Sequence, residues 1–294
     1  MAGFTQKTKE PIVLENERSA GIEKIKNDTG AWGFFKYLYG KYSFKILLLN
    51  LLMIVFAIAV YLLNQIFSLR IAGEAAALPY SSTFGLAITP WGGTAQFYAN
   101  IVNKYNTQKA LWMMLAIPLI TVPVSGGFAV VRDAYWTGKF SIFKTFFKGV
   151  YQTGLQVLPF TVLIAAGFLG IHFAGMGLAA AGVASWIAVT LKVIMYIAVA
   201  LIAIYGLVFA GVVTLYDQSF ALSLKSAFQL TVRGIISHII SFVMTGAIFV
   251  LLLINMNLIS IIVLTIIIMF GMIFAALVWM IHMIKVCGAG KDAE

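Results

Sequence analysis

The chain has 294 residues, of which 62% are hydrophobic and only 10% charged, with 20 Lys and Arg against 10 Asp and Glu. Soluble domains carry about a quarter charged residues, so this composition excludes an ordinary water-soluble fold. The net charge of +10 sits beside long apolar runs, which makes anionic headgroups rather than nucleic acid the surface those cations face.

Five uncharged runs carry the class. They hold 24 residues between Lys45 and Arg70, 22 between Lys109 and Arg132, and 43 between Lys148 and Lys192. A further 24 lie between Lys192 and Asp217, and 51 between Arg233 and Lys285. A helix needs about 20 predominantly apolar residues to cross the hydrocarbon core, so the 51-residue run holds two spans and residues 149–216 share two more. The runs lack the alternating pattern of a transmembrane barrel. The expected fold is all-α: a polytopic membrane helix bundle of six transmembrane helices, near 44–69, 110–131, 154–173, 184–215, 235–253 and 258–284.

In chain order, residues 1–30 form a polar cytoplasmic arm without the apolar core of a secretory signal. The membrane domain covers 31–285. Trp32 to Lys45 sets Trp32, Phe34, Phe35, Leu38, Tyr39 and Tyr42 against Lys36, Lys41 and Lys45, the composition of an interfacial helix feeding span one. The outer connection, 71–108, carries Tyr80, Phe84, Trp91, Phe97, Tyr98 and Tyr105; Thr94 to Tyr105 has the pattern of a short amphipathic helix on the outer surface. Span two contains Pro118 and Pro123, then Gly126 and Gly127, and each proline removes a backbone donor, so this helix is expected to kink or break.

A cytoplasmic turn follows, and Ser141 to Gln152 places Ile142, Phe143, Phe146, Phe147, Val150 and Tyr151 on one side of a helix and Ser141, Lys144, Thr145 and Lys148 on the other. After span three a small-residue stretch from Ala174 to Gly182 makes the outer turn. Span four holds Lys192, about two turns from its outer end, where it snorkels to the headgroups or serves a function inside the span. Asp217 to Arg233 reads as a third interfacial element, with Leu224, Ala227, Phe228 and Leu230 opposite Ser223, Lys225, Ser226 and Gln229. Spans five and six turn at Asn255 to Asn257, and a cytoplasmic tail, 286–294, follows.

Phe34-Phe35-Lys36, Phe146-Phe147-Lys148 and Ala227-Phe228-Gln229 each precede a span, which predicts three hairpin-like repeats, each led by a cytoplasmic interfacial amphipathic helix. Sixteen of the 20 Lys and Arg residues fall on the side of both termini, so both are expected in the cytoplasm.

Motifs for chemistry are missing. The chain has no Gly-Lys-Ser/Thr phosphate loop, no His-Glu-x-x-His and no Gly-x-Ser-x-Gly, and its one cysteine, Cys287, excludes an intrachain disulfide and a cysteine-built metal site. His172, His238 and His282 lie near span ends, where interfacial hydrogen bonding is their ordinary use. No enzyme activity, cofactor or metal is expected.

The stretch VVRDAYWTGKFSIFKTFFKGVYQTGLQVLPF, following a span with prolines and glycines, resembles the YesL-type family of bacterial integral membrane proteins. The likeness is densest from Pro118 to Pro159; Gln152-Thr153-Gly154 stands where many members carry an Asn soon after Phe-Phe-Lys. Members often neighbour carbohydrate transporter genes, so the resemblance implies an accessory role in sugar uptake and no catalytic residues. The expected function is a non-enzymatic accessory or assembly subunit of solute transport in the bacterial inner membrane, in a transporter complex or a homo-oligomer. Phe143, Lys144, Phe146, Phe147 and Lys148 would then dock a partner or lipid. The alternative is an independent transporter or channel, with a path beside Pro118, Pro123, Gly126, Gly127 and Lys192.

Overall fold

The computed structural model describes residues 20–76, 93–137, 140–250 and 265–287, and the regular elements among them are all helical. In order they are α1 (Ala20–Ala76), α2 (Gly93–Ala116), a 3-10 turn (Ile117–Ile120) and α3 (Thr121–Thr137). Then come α4 (Phe143–Gly149), a π turn (Val150–Gly154), α5 (Leu155–Ala180) and α6 (Ser185–Leu215). The last are α7 (Phe220–Arg233), α8 (Ile235–Val250), a second π turn (Ile267–Gly271) and α9 (Met272–Val286).

Among the described residues, five helical stretches are long and apolar enough to cross a membrane: Gly33–Glu74, Ala99–Thr137, Phe143–Ala180, Ser185–Leu215 and Met269–Val286. The bent pair Phe220–Arg233 and Ile235–Gly246, which meet at 91°, makes a sixth if taken as one span. The expected turn at Asn255 to Asn257, most of the polar arm, the middle of the outer connection and the tail beyond Cys287 lie outside the described residues.

Several boundaries differ from expectation for physical reasons. The stretch from Trp32 to Lys45 is not a separate interfacial helix; it is continuous with span one in α1, because no proline interrupts it and Phe34 and Phe35 pack inward. Phe34 meets Tyr135 edge-on at 5.4 Å and Phe35 meets Phe274 at 5.4 Å, so these two rings cover protein rather than lipid, while Tyr39 stays exposed. Thr94 to Tyr105 is helical but forms the first half of α2 and runs on into the apolar stretch. The turn after α5 is shorter than the small-residue run. Gly175 and Gly177 stay helical, and the chain reverses at Gly182, whose φ of 64° is the left-handed conformation only glycine adopts cheaply. There the amide of Gly182 bonds Ala179 O at 3.2 Å and that of Val183 bonds Leu178 O at 3.1 Å, a Schellman ending.

The three segments expected to repeat take three geometries. The first is continuous within α1; the second, α4, joins α5 through a π turn in one 38-residue apolar stretch; the third, α7, turns through 91° into α8. The described helices give the threefold repeat no support.

The chain divides into two compact units. The first comprises the described residues of 1–56, 119–161 and 200–294, and the second those of 57–118 and 162–199. The main core lies in the first, where Phe34, Leu49, Phe146, Phe209, Trp279 and Met280 are buried. Lipid tails are as apolar as leucine, so close packing and interhelical hydrogen bonds hold such a core. Glycines show how close the packing is. A Cβ on Gly149 would collide with Ala129 Cβ and lie 3.0 Å from the Ser125 carbonyl, so α3 and α4 meet backbone to backbone.

Candidate functional site

The segment that carries the expected docking residues splits its rings between two stripes. Ile142, Phe146, Gly149 and Thr153 follow helical spacing and are buried, with Phe146 at 0% exposure. Phe143, Phe147 and Tyr151 form the neighbouring stripe and are exposed, together with Lys144 and Lys148. Phe146 is therefore an anchor rather than a docking residue: its ring fills the space beside Gly126, where a Cβ would come within 2.8 Å of the ring's attachment carbon. The other four candidate residues remain at the surface. Thr145, expected on the polar side, is also buried.

The candidate path residues fall in both units. Pro118 lies in the 3-10 turn between α2 and α3, and Pro123 lies in the first turn of α3 where its missing amide leaves little unsatisfied, so the expected interruption appears as a 3-10 turn within the helical stretch Ala99–Thr137. Beside it Thr121 and Thr161 share a buried hydroxyl hydrogen bond of 2.7 Å, and the buried Ser125 hydroxyl has no partner. Gly126 and Gly127 face filled space: Phe146 covers the first, and Met53 Cε stands 2.6 Å from where a Cβ on the second would be. Both glycines serve close packing. Pro118 and Lys192 belong to the second unit, whereas Pro123, Gly126 and Gly127 belong to the first.

Several polar groups of the first unit pair in ways the sequence analysis missed. Asn50 is fully buried and bonds both sides of the second π turn: its amide nitrogen donates to Ile267 O at 2.8 Å and its oxygen accepts from the Ile273 amide at 3.1 Å. A π turn disturbs the regular ladder, and Asn50 supplies the partners its ends need in a medium without water. Arg132 donates to Thr214 O at 2.8 Å, satisfying a terminal carbonyl of α6, while Asp133 holds its guanidinium at 2.8 Å. The Trp279 indole donates to Leu207 O at 3.1 Å.

The most chemically distinctive pair is His238 with His282. His238 is buried at 0% exposure, and its Nδ1 lies 2.9 Å from His282 Nε2, while its own Nε2 lies 3.2 Å from Leu230 O. A carbonyl only accepts, so His238 Nε2 carries the proton; in the neutral ring Nδ1 then accepts, and His282 Nε2–H donates. Gly234, at the bend between α7 and α8, makes this possible, since a Cβ there would stand 2.9 Å from His238 Nε2. The Trp279 ring lies 6.2 Å from His238 and 5.9 Å from His282, centre to centre. The sequence signal was equal depth: His238 is five residues past Arg233 and His282 three before Lys285. Only the fold shows that the two spans face each other. Among the described residues no group of three or more His, Cys, Asp or Glu is placed to hold a metal ion.

At the chain's described end, the Tyr216 hydroxyl donates to Cys287 O at 3.3 Å, and burial pushes the Cys287 thiol up to about 12. Such a thiol is a poor nucleophile.

In the second unit, Lys192 of α6 lies against α5, with its ammonium 3.0 Å from where a Cβ on Gly175 would sit. Thr107 of α2 pairs with His172 of α5 at 2.8 Å, and Lys109 reaches Asn64 at 3.5 Å. No family model, curated protein or solved structure matches this chain.

Proposed function

We propose that the chain is a non-enzymatic, six-span protein of the bacterial inner membrane, both termini cytoplasmic, that serves as an accessory or assembly subunit of solute transport. Carbohydrate is the solute class implied by the YesL-type resemblance. The supporting observation is the outer stripe of α4 and the turn after it. Phe143, Phe147 and Tyr151 stay exposed beside Lys144 and Lys148 while Phe146 of the same helix is locked inside, so three rings and two cations are presented on a rigid backbone. A basic, aromatic surface at the headgroup level suits an amphipathic partner helix of a transporter subunit, with Lys144 and Lys148 meeting its acidic side.

The test is recovery of the tagged protein from its native membrane in mild detergent, with the co-eluting proteins identified and quantified. Phe143→Ser with Phe147→Ser should release a stoichiometric membrane partner while the protein's membrane level holds. An unchanged set of partners would end the docking role of α4, and elution of a homo-oligomer alone would replace the accessory reading.

A second reading, an independent transporter, draws support from the buried His238–His282 pair together with the span broken at Pro118. Ionisable groups inside a membrane protein commonly mark proton or ion routes. On that reading His282→Ala alters proton-driven solute uptake in reconstituted vesicles; uptake indifferent to both histidines removes them from any route.

A further inference from the structure

The second unit has an unbalanced charge. Its residues, 57–118 and 162–199, include four basic side chains, Arg70, Lys104, Lys109 and Lys192, against one carboxylate, Glu74. That carboxylate is engaged elsewhere, accepting from the Tyr105 hydroxyl at 2.8 Å. Two of the cations flank one ring. Lys192 lies against Gly175, one helical turn from His172, and Lys109 follows two residues after Thr107, whose hydroxyl oxygen lies 2.8 Å from His172 Nε2. The Thr107 hydroxyl donates to Asn103 O at 2.8 Å, so toward His172 its oxygen accepts, and His172 Nε2 is a proton donor. Lys109 and Lys192 are each partly buried, and Lys109 has only a long contact to Asn64. Among the described residues neither ammonium has a carboxylate to pair with, and an anion held beside them is stabilised by both charges.

We propose that Lys109, His172 and Lys192 form a binding site for a phosphate group, that of an anionic phospholipid headgroup. The surroundings favour the lipid source. Trp112 and Leu115 on α2 and Trp186 and Val189 on α6 are exposed, the first pair at 54% and 66%, and offer acyl chains an apolar surface next to the cations. Tryptophan at this level is the usual partner of headgroups. Lysines meet phosphate as point charges, which tolerates variation in the headgroup and demands only the charge. The site is independent of any docking at α4.

The full chain, purified in mild detergent and stripped of lipid, is titrated with phosphatidylglycerol, with phosphatidylcholine and with inorganic phosphate, and bound lipid is counted by native mass spectrometry. Phosphatidylglycerol should bind in preference to phosphatidylcholine. Lys109→Ala with Lys192→Ala should weaken that preference on the order of tenfold or more, and raised salt should weaken it in the unaltered protein. Lys225→Ala, an exposed cation on α7, should leave it intact. Inorganic phosphate competing at the same concentration as the lipid would uphold the phosphate site and assign it to a soluble ligand. Equal binding of both lipids, or a preference unchanged in the double variant, overturns the proposal. Should the double variant not fold, the single variants Lys192→Gln and His172→Gln give the same reading.

Discussion

The two compact units treat their embedded polar groups in opposite ways. In the first, Asn50, Arg132, Trp279 and His238 each donate to a specific backbone carbonyl on another helix or across a bend, at 2.8 to 3.2 Å. In the second, Lys109 makes only a long contact to Asn64 at 3.5 Å, and the short interhelical bonds join side chain to side chain, Thr107 with His172 and Tyr105 with Glu74, each at 2.8 Å. A carbonyl inside a bilayer has no water to turn to, so a side chain that reaches it pins two helices at one register. A cation without a fixed acceptor pins nothing by itself and stays available for a ligand. The contrast teaches where rigidity and where binding should be sought.

The largest test of the contrast is at the tightest contact of the first unit. Gly149→Leu places a side chain where Ala129 and the Ser125 carbonyl already stand, and neither helix backbone can yield. Overpacking of this kind typically removes about 1–3 kcal/mol and here should exceed that, abolishing folded protein in detergent gel filtration. Gly154→Ala is the matched control, because a Cβ there meets only ordinary contacts at 3.6 Å and beyond, and its melting temperature should match the parent's.

Phe146→Ala should follow, losing on the order of 2 kcal/mol, less than a soluble core would because lipid rather than water is the alternative environment. Phe147→Ala, one residue on and exposed, should change thermal unfolding by less than about 0.5 kcal/mol. Equal effects at 146 and 147 would mean that the inner and outer stripes are misassigned.

Asn50→Leu comes next, leaving Ile267 O and the Ile273 amide unpaired at the second π turn, and should lose about 1–3 kcal/mol. Thr107→Val in the second unit should lose less than about 1 kcal/mol. If the second loss equals the first, the difference between the units is not one of rigidity.

The smallest effect concerns Cys287. With its thiol pushed up to about 12 from an ordinary 9.0, the thiolate at neutral pH is scarcer by about a thousandfold, so maleimide labelling of the native protein should be slow and should quicken on unfolding. The sign for stability follows. Folding favours the protonated thiol, so its contribution is whole below pH 9 and is lost as pH rises towards 12. Rapid native labelling at pH 7 would show Cys287 in contact with water.

The membrane class, the all-helical fold and the proline-marked interruption of span two were legible in the residues alone. Uncharged runs of 22 residues and more have few other uses, and a proline removes a hydrogen bond wherever it stands. The reversal at Gly182 fell inside the small-residue turn that was expected, because a left-handed ending needs glycine. Which face of each helix turns inward was decided by tertiary structure. In water a hydrophobic stripe marks the core, but in lipid both sides of a span are apolar, so periodicity could not separate Phe146 from Phe147 or assign Phe34 and Phe35 to the core. The Asn50 bonds to the π turn, the Arg132 bond to α6 and the His238–His282 pair join residues 44 to 223 positions apart in sequence. No local rule reaches that far: such contacts exist only once helices have packed, and in a medium without water it is the packing that chooses each polar group's partner.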